Sequence, residues 1–141
     1  MSGHSNWPEW VYIGVVCAIL VWVGADSWYI EKLVDHAPEE AEIIKVTGQQ
    51  WFWSFEHADG PKEGGELHLK KGHPYKFEVQ SKDVVHSFNI HDYVVLMDAV
   101  PGRINTVWFV PEEAGTFPIQ CREFCGLLHY NMRGTLYVED T

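Results

Sequence analysis

The sequence predicts a mainly β domain, a sandwich or barrel of short strands with Greek-key connections, preceded by one membrane-spanning helix. Three observations carry that expectation. From Trp10 to Ile30 the chain reads WVYIGVVCAILVWVGADSWYI, strictly apolar from Trp10 to Ala25, with Asp26 and Ser27 near the far end. Beyond residue 42 the pattern changes to short runs rich in β-branched and aromatic residues, punctuated by Gly and Pro. Near the C-terminus, Cys121 to Met132 reads CREFCGLLHYNM, a segment crowded with sulfur and imidazole donors and held between two such runs.

The elements follow in order. Residues 1–33 are expected to be an anchor, residues 34–42 a linker and residues 43–141 the β domain. A helix over Trp10–Ile30 would be roughly 31 Å long, about the thickness of a bilayer core. Trp7 and Trp10 at one end, with Trp28 and Tyr29 at the other, sit where an aromatic belt belongs. A cleaved signal peptide wants a basic leader, and Met1 to Glu9 contains no Lys or Arg. Neither flank is rich in basic residues, so charge does not orient the span. Glu31 to Glu42 is charged and contains Pro38, as a linker would. EIIKVT opens the β region, and in QQWFWSFEH the residues Trp51, Trp53 and Phe55 share one face, with Phe52 and Ser54 on the other. HADGPKEGGE reads as a turn region. YKFEVQS, VVHSFNI, INTVWFV, TFPIQ and TLYVE complete the set of strands.

Composition limits the function. Hydrophobic residues make up 46% of the chain, enough for a core, and the net charge is −10. That charge argues against nucleic acid, whose phosphates require a basic face, and permits a basic protein partner steered by long-range attraction. Of three cysteines, Cys17 lies in the apolar run and is expected to be a packed thiol. Cys121 and Cys125 then fit a metal better than a disulfide framework.

In the loop, Cys121, Cys125, His129 and Met132 offer soft donors that select copper or zinc over magnesium or calcium. A further ligand must come from elsewhere, and His86 in DVVHSFNI is the candidate. The spacing allows a Cys2His2 zinc site, a mononuclear copper site with one cysteine surplus, or a dinuclear copper site that uses every donor. Met132 disfavours zinc, because a thioether is a poor structural-zinc ligand and a good axial copper ligand.

These residues resemble the copper A loop of cytochrome c oxidase subunit II, with the order Cys, Glu, Cys, His, Met intact. DVVHSFNI, MDAVPGRIN and GQQWFWSFEH resemble three further stretches of that family, so the likeness covers nearly the whole chain. The resemblance implies a cupredoxin domain on the extracytoplasmic side of the plasma membrane, carried by a single-pass anchor in the lipid bilayer. It implies dinuclear copper with His86 and His129 as terminal imidazoles and Cys121 and Cys125 as bridges. Met132 and the Glu123 carbonyl would be axial ligands, and the Glu123 carboxylate would face a magnesium ion shared with subunit I.

The same resemblance assigns Trp51 as the tryptophan through which electrons enter, and Glu56 and Asp83 as carboxylates of the donor-docking face. Cytochrome c or another small redox donor would supply the electrons. The oxidase subunit I would receive them at haem and reduce oxygen to water there. The single anchor resembles the short subunits of B-type haem–copper oxidases, in which a glutamate at the helix start lies at the mouth of a proton channel. Glu9 occupies the matching place. No C-x-x-C-H motif follows the loop, so no fused cytochrome c is expected. His4, His36, His57, His68, His73 and His91 match no ligand position; His91 is expected on a strand, facing away from His86. Two other functions compete, the copper A subunit of a nitric oxide or nitrous oxide reductase, and a membrane-tethered copper carrier.

Overall fold

The computed structural model describes residues 6–58, 60 and 62–140; His4 lies outside them. The chain divides into two compact units, Met1–His36 and Ala37–Thr141.

The first unit is one helix, α1 (Trp7–Asp35), of 29 residues and about 43 Å. It is longer than the apolar run that identifies it. Pro8 stands in its first turn, where a missing N–H costs nothing, and Glu9 stands there too, where the helix dipole favours a carboxylate. At the other end the helix continues through Glu31–Asp35, because Glu, Lys and Leu are good helix formers even where they are no longer apolar. None of its described residues is buried. Cys17 is therefore exposed on the helix surface and not packed: a helix that is apolar all round has no core side within its own unit.

The second unit is a sandwich of two five-stranded sheets. One sheet contains β1 (Glu42–Gln49), β2 (Phe52–His57), β3 (Lys62–Gly64), β5 (Tyr75–Ser81) and β8 (Asn105–Phe109), in the order β3-β2-β1-β5-β8. The other contains β4 (Glu66–Lys70), β6 (His86–Ile90), β7 (Val95–Ala99), β9 (Gly115–Cys121) and β10 (Arg133–Glu139), in the order β4-β10-β9-β6-β7. The pairs β1–β5 and β4–β10 are parallel, and the other pairs are antiparallel. This is the mainly β sandwich that the run pattern predicts.

Three strands were not visible in that pattern. β3 and β4 lie where the turn-rich stretch HADGPKEGGE and its sequel read as loop, and β7 lies inside MDAVPGRIN and the residues before it. β4 is held because Leu67 and Leu69 are buried and β10 supplies a parallel partner, Leu136 opposite Leu67. His91 is a further correction. It sits in a short 3-10 turn (His91–Tyr93) past the end of β6 and is exposed, so strand alternation does not place it.

The core between the sheets is mostly aliphatic, with a cluster of aromatic rings at its centre. Trp53, Phe55, Phe77 and Phe88 are fully buried. Phe88 meets Trp53, Phe55 and Phe77 edge-on, with ring centroids 5.4, 6.1 and 5.4 Å apart, geometry that aromatic quadrupoles favour. The alternation of Trp53 and Phe55 inward with Phe52 outward agrees with the reading of QQWFWSFEH. This rigid centre supports the end of the sandwich where β6 begins and β9 ends.

Candidate metal centre

At that end β9 finishes at Cys121 and β10 starts at Arg133, so the loop between them is pinned at both ends. Cys121 N donates to Met132 O at 3.2 Å across the loop's neck, and Arg122 N donates to Ser87 O at 3.0 Å, tying the loop to β6. Within β6 the register sets Phe88 opposite Cys121, so His86, two residues away, projects from the same face. His86 is fully buried.

The donors gather around two sulfurs. Cys121 Sγ and Cys125 Sγ are 3.7 Å apart. Cys121 Sγ has His86 Nδ1 at 3.9 Å and the Glu123 carbonyl oxygen at 3.2 Å. Cys125 Sγ has His129 Nδ1 at 3.4 Å and Met132 Sδ at 3.7 Å. Each sulfur thus has one imidazole and one weaker donor beside it. The sulfurs are free thiols, well beyond the about 2.05 Å of a disulfide. They are close enough that one ion at a thiolate–metal distance of roughly 2.3 Å reaches both. The donor types, two thiols, two imidazoles, a thioether and a carbonyl, suit copper, and the residues present fit that group. Cys121, Cys125 and Met132 are 7%, 3% and 1% exposed, so solvent does not compete at the sulfurs.

Burial, reinforced by the Cys121 thiol beside it, pushes the Cys125 thiol up to about 12. Without metal this group stays protonated at neutral pH, so metal binding must displace a proton.

Asp83 is placed to orient the buried imidazole. Its Oδ1 lies 2.7 Å from His86 Nε2, and its Oδ2 accepts from Gln50 N at 2.7 Å. Burial alone would raise this carboxyl; hydrogen bonds from Gln50 N–H, His86 and Val84 N–H outweigh it and hold it below the usual carboxylate range. A carboxylate on the far nitrogen of a ligating histidine fixes both ring and tautomer, leaving Nδ1 turned to sulfur. Two neighbours were not legible as site residues. Trp53 stands edge-on to His86, centroids 6.0 Å apart. Gly48 leaves room for the ring: a Cβ there would lie 3.0 Å from His86 Cδ2 and 3.0 Å from Trp53 Cζ3.

The other expected residues are placed as follows. Trp51 is half-buried against the core, and its Nε1 would lie 3.2 Å from a Cβ at Gly126, the residue after Cys125. Gly126 has φ +124, a conformation that side chains rarely adopt. Glu123 is exposed. Glu56 is exposed on β2 with Lys45 and Lys62 opposite it on the two flanking strands. Glu9 belongs to α1, in the other unit.

Comparison with known proteins decides the family. The model of the cytochrome c oxidase subunit II periplasmic domain matches residues 65–138. The chain belongs to the cytochrome c oxidase subunit II family. It is 32% identical to an alternative cytochrome c oxidase subunit 2 of Bradyrhizobium diazoefficiens, over 93% of this chain and 58% of that protein. The chain therefore spans less than two thirds of that curated relative. Its fold matches the crystal structure of the periplasmic domain of subunit II from Bradyrhizobium japonicum with a TM-score of 0.70 and 29% identity, covering 74% of this chain and 88% of that one. A second subunit II periplasmic domain, solved as a mixed disulfide with a thioredoxin-like protein, matches with a TM-score of 0.66 and 30% identity over 74% and 86% of the two chains. The cupredoxin-like class expected from the sequence is the class of these neighbours. The family is a copper A family, and His86, Cys121 and Cys125 form a buried group able to hold a metal. The family model that matches describes a periplasmic domain, and α1 is long and apolar enough to cross a membrane.

Proposed function

We propose that this chain is the electron-uptake subunit of a haem–copper terminal oxidase. It takes electrons from cytochrome c or a similar small donor and delivers them to haem in subunit I, where oxygen is reduced to water. In this reading α1 is a single pass through the plasma membrane and the β domain lies on the extracytoplasmic side. The observation that carries it is the arrangement of all the donors around Cys121 Sγ and Cys125 Sγ. His86, Cys121, Glu123, Cys125, His129 and Met132 would hold the copper pair, which would supply a one-electron carrier with its charge spread over two ions.

The chain's own residues do the rest. Asp83 holds His86 in one tautomer, and Trp53 and Phe88 back the ring with a rigid apolar wall. Rigid surroundings reorganise little when charge arrives. Trp51, half-exposed and beside the Cys125–Gly126 segment, gives a short route from the surface to a sulfur. The same loop exposes Phe124, Leu127 and Tyr130, at 76%, 82% and 71%, apolar surface of the kind that marks a protein contact. The net charge of −10 steers a basic donor toward the domain. Asp83 acts here through His86, and Glu56 between two lysines contributes little to steering. Exposed Glu123 leaves its carboxylate for a magnesium ion shared with subunit I. A copper carrier needs reachable sulfurs, and burial of both thiols disfavours it.

Rapid mixing of the copper-loaded chain with a small basic redox donor tests the reading. The expected result is a bimolecular rate that falls with ionic strength and falls sharply in Trp51→Phe while the copper spectrum stays the same. A rate indifferent to both salt and Trp51 would contradict it.

A further inference from the structure

The donor set comes from two places in the sequence, the start of β6 and the β9–β10 loop. One residue that belongs to neither is hydrogen-bonded to Asp83, the partner of His86, and to the Cys125 carbonyl. Gln50 lies in the turn between β1 and β2, immediately before Trp51. Its backbone N–H donates to Asp83 Oδ2 at 2.7 Å, and Asp83 Oδ1 lies 2.7 Å from His86 Nε2. Its side-chain amide Nε2 donates to the Cys125 carbonyl at 2.7 Å. A short chain of bonds therefore runs from the buried imidazole, through Asp83 and Gln50, to the backbone of the second cysteine.

The surroundings reserve space for this amide. A Cβ at Gly126 would lie 2.8 Å from Gln50 Nε2 and would push the amide out of its place. The Cys125 carbonyl is bonded on one side of the peptide whose other side carries the φ +124 glycine. Gln50 thereby fixes the orientation of that peptide, and with it the direction in which Cys125 Sγ leaves the backbone.

The geometry points to Gln50 as a positioning residue for the metal centre: its two arms hold the His86 arm and the cysteine loop at a fixed separation. The inference rests on the proposal that these donors hold copper. It assigns Gln50 no contact with metal or donor. Its effect passes through Asp83 and through the Cys125 peptide.

The two arms can be separated experimentally, because only one is a side chain. Gln50→Met keeps the length and removes the amide donor, while the backbone bond to Asp83 remains. Loss of an outer-shell partner of a metal site typically weakens metal binding 10- to 100-fold. Gln50 is exposed, so water partly replaces the lost donor and the effect belongs at the low end, about ten-fold. The experiment uses the full chain in detergent, loaded with copper, and follows copper release to an excess chelator by absorbance. Thermal melts are recorded with and without copper. The expected result is release about ten-fold faster in Gln50→Met, a shifted copper absorption band, and an apo-protein melt close to wild type. Gln50→Glu, which sets an acceptor against the Cys125 carbonyl, is expected to release copper faster still. Release within two-fold of wild type in both variants would overturn the inference while leaving the copper reading intact. So would an equal loss of stability in the apo and loaded forms, which is what a purely structural glutamine gives. A wild-type chain that takes up no copper would overturn the copper reading itself.

Discussion

Gly48→Ala puts the account of the His86 pocket under direct strain. The added methyl would stand 3.0 Å from His86 Cδ2, 3.2 Å from His86 Cγ and 3.0 Å from Trp53 Cζ3. Ordinary contact begins near 3.4 Å, so both rings must retreat by about 0.4 Å. Neither has room. Trp53 is fully buried and packed on Phe88, and His86 is tied at Nε2 to Asp83 with Nδ1 facing Cys121 Sγ. Overpacking of a close-fitted core costs typically about 1–3 kcal/mol. The expected outcome in the metal-free chain is destabilisation of that size, read from the shift of the urea midpoint at constant slope. Once copper is added, the displaced imidazole should move the absorption band and the reduction potential. An apo stability within about 0.5 kcal/mol of wild type, together with an unchanged copper spectrum, would refute the claim that Gly48 makes room for the ring.

Three further outcomes can be measured. Met132→Leu nearly conserves volume, so it should cost under about 1.5 kcal/mol and retain copper with a shifted potential; loss of all metal on elemental analysis would contradict the axial role of Met132. The Cys125 thiol, raised from 9.0 to about 12 by burial, makes the metal-free fold pH-sensitive in the alkaline range. Its contribution is fully present below pH 9.0 and is lost toward about 12, because the unfolded chain ionises first. Apo stability should therefore fall across that window in denaturant melts, and the copper-loaded form, in which the thiol is already deprotonated, should not show the same loss. Glu9→Gln removes a carboxylate from the first turn of α1; if it serves the mouth of a proton channel, turnover of the assembled enzyme should slow while copper reduction by the donor stays normal. Unchanged turnover leaves Glu9 as an ordinary helix-terminal charge.

The sequence shows the copper loop well because its donors are local: Cys121, Cys125, His129 and Met132 lie in one segment, and their spacing alone limits the chemistry. The helix was legible for a similar reason, a long uninterrupted apolar run, although its last residues were not, since Glu31–Asp35 changes polarity without changing helix preference. β4 was hidden because it has only Leu67 and Leu69 to bury, and a parallel partner far along the chain completes it. His91 was misplaced because the strand ends at Ile90, a boundary with no Gly or Pro to mark it. Gln50, Gly48 and the inward role of Asp83 were out of reach because the fold chooses their neighbours. Gln50 meets Asp83 and Cys125, 33 and 75 residues away, and Gly48 meets His86 on a strand of the other sheet; a glutamine or glycine next to an aromatic run carries no sign of this. Asp83 is only three residues from His86, but its inward turn depends on the Gln50 N–H that it also accepts from. Cys17 shows the converse error, an apolar neighbourhood in sequence taken for a packed one in space.

The central claim is that the two sulfurs hold a copper pair and that this pair carries the electron. The most direct measurement is the copper content of the reconstituted full chain, taken with the electron paramagnetic resonance spectrum of its oxidised form. The account predicts two coppers per chain, a purple colour and hyperfine structure from one unpaired electron shared over both nuclei. It also predicts that the shared signal disappears in Cys121→Ser and in Cys125→Ser, since a hydroxyl does not bridge as a thiolate does. A colourless chain holding one zinc, or a single copper with hyperfine structure from one nucleus, would contradict it.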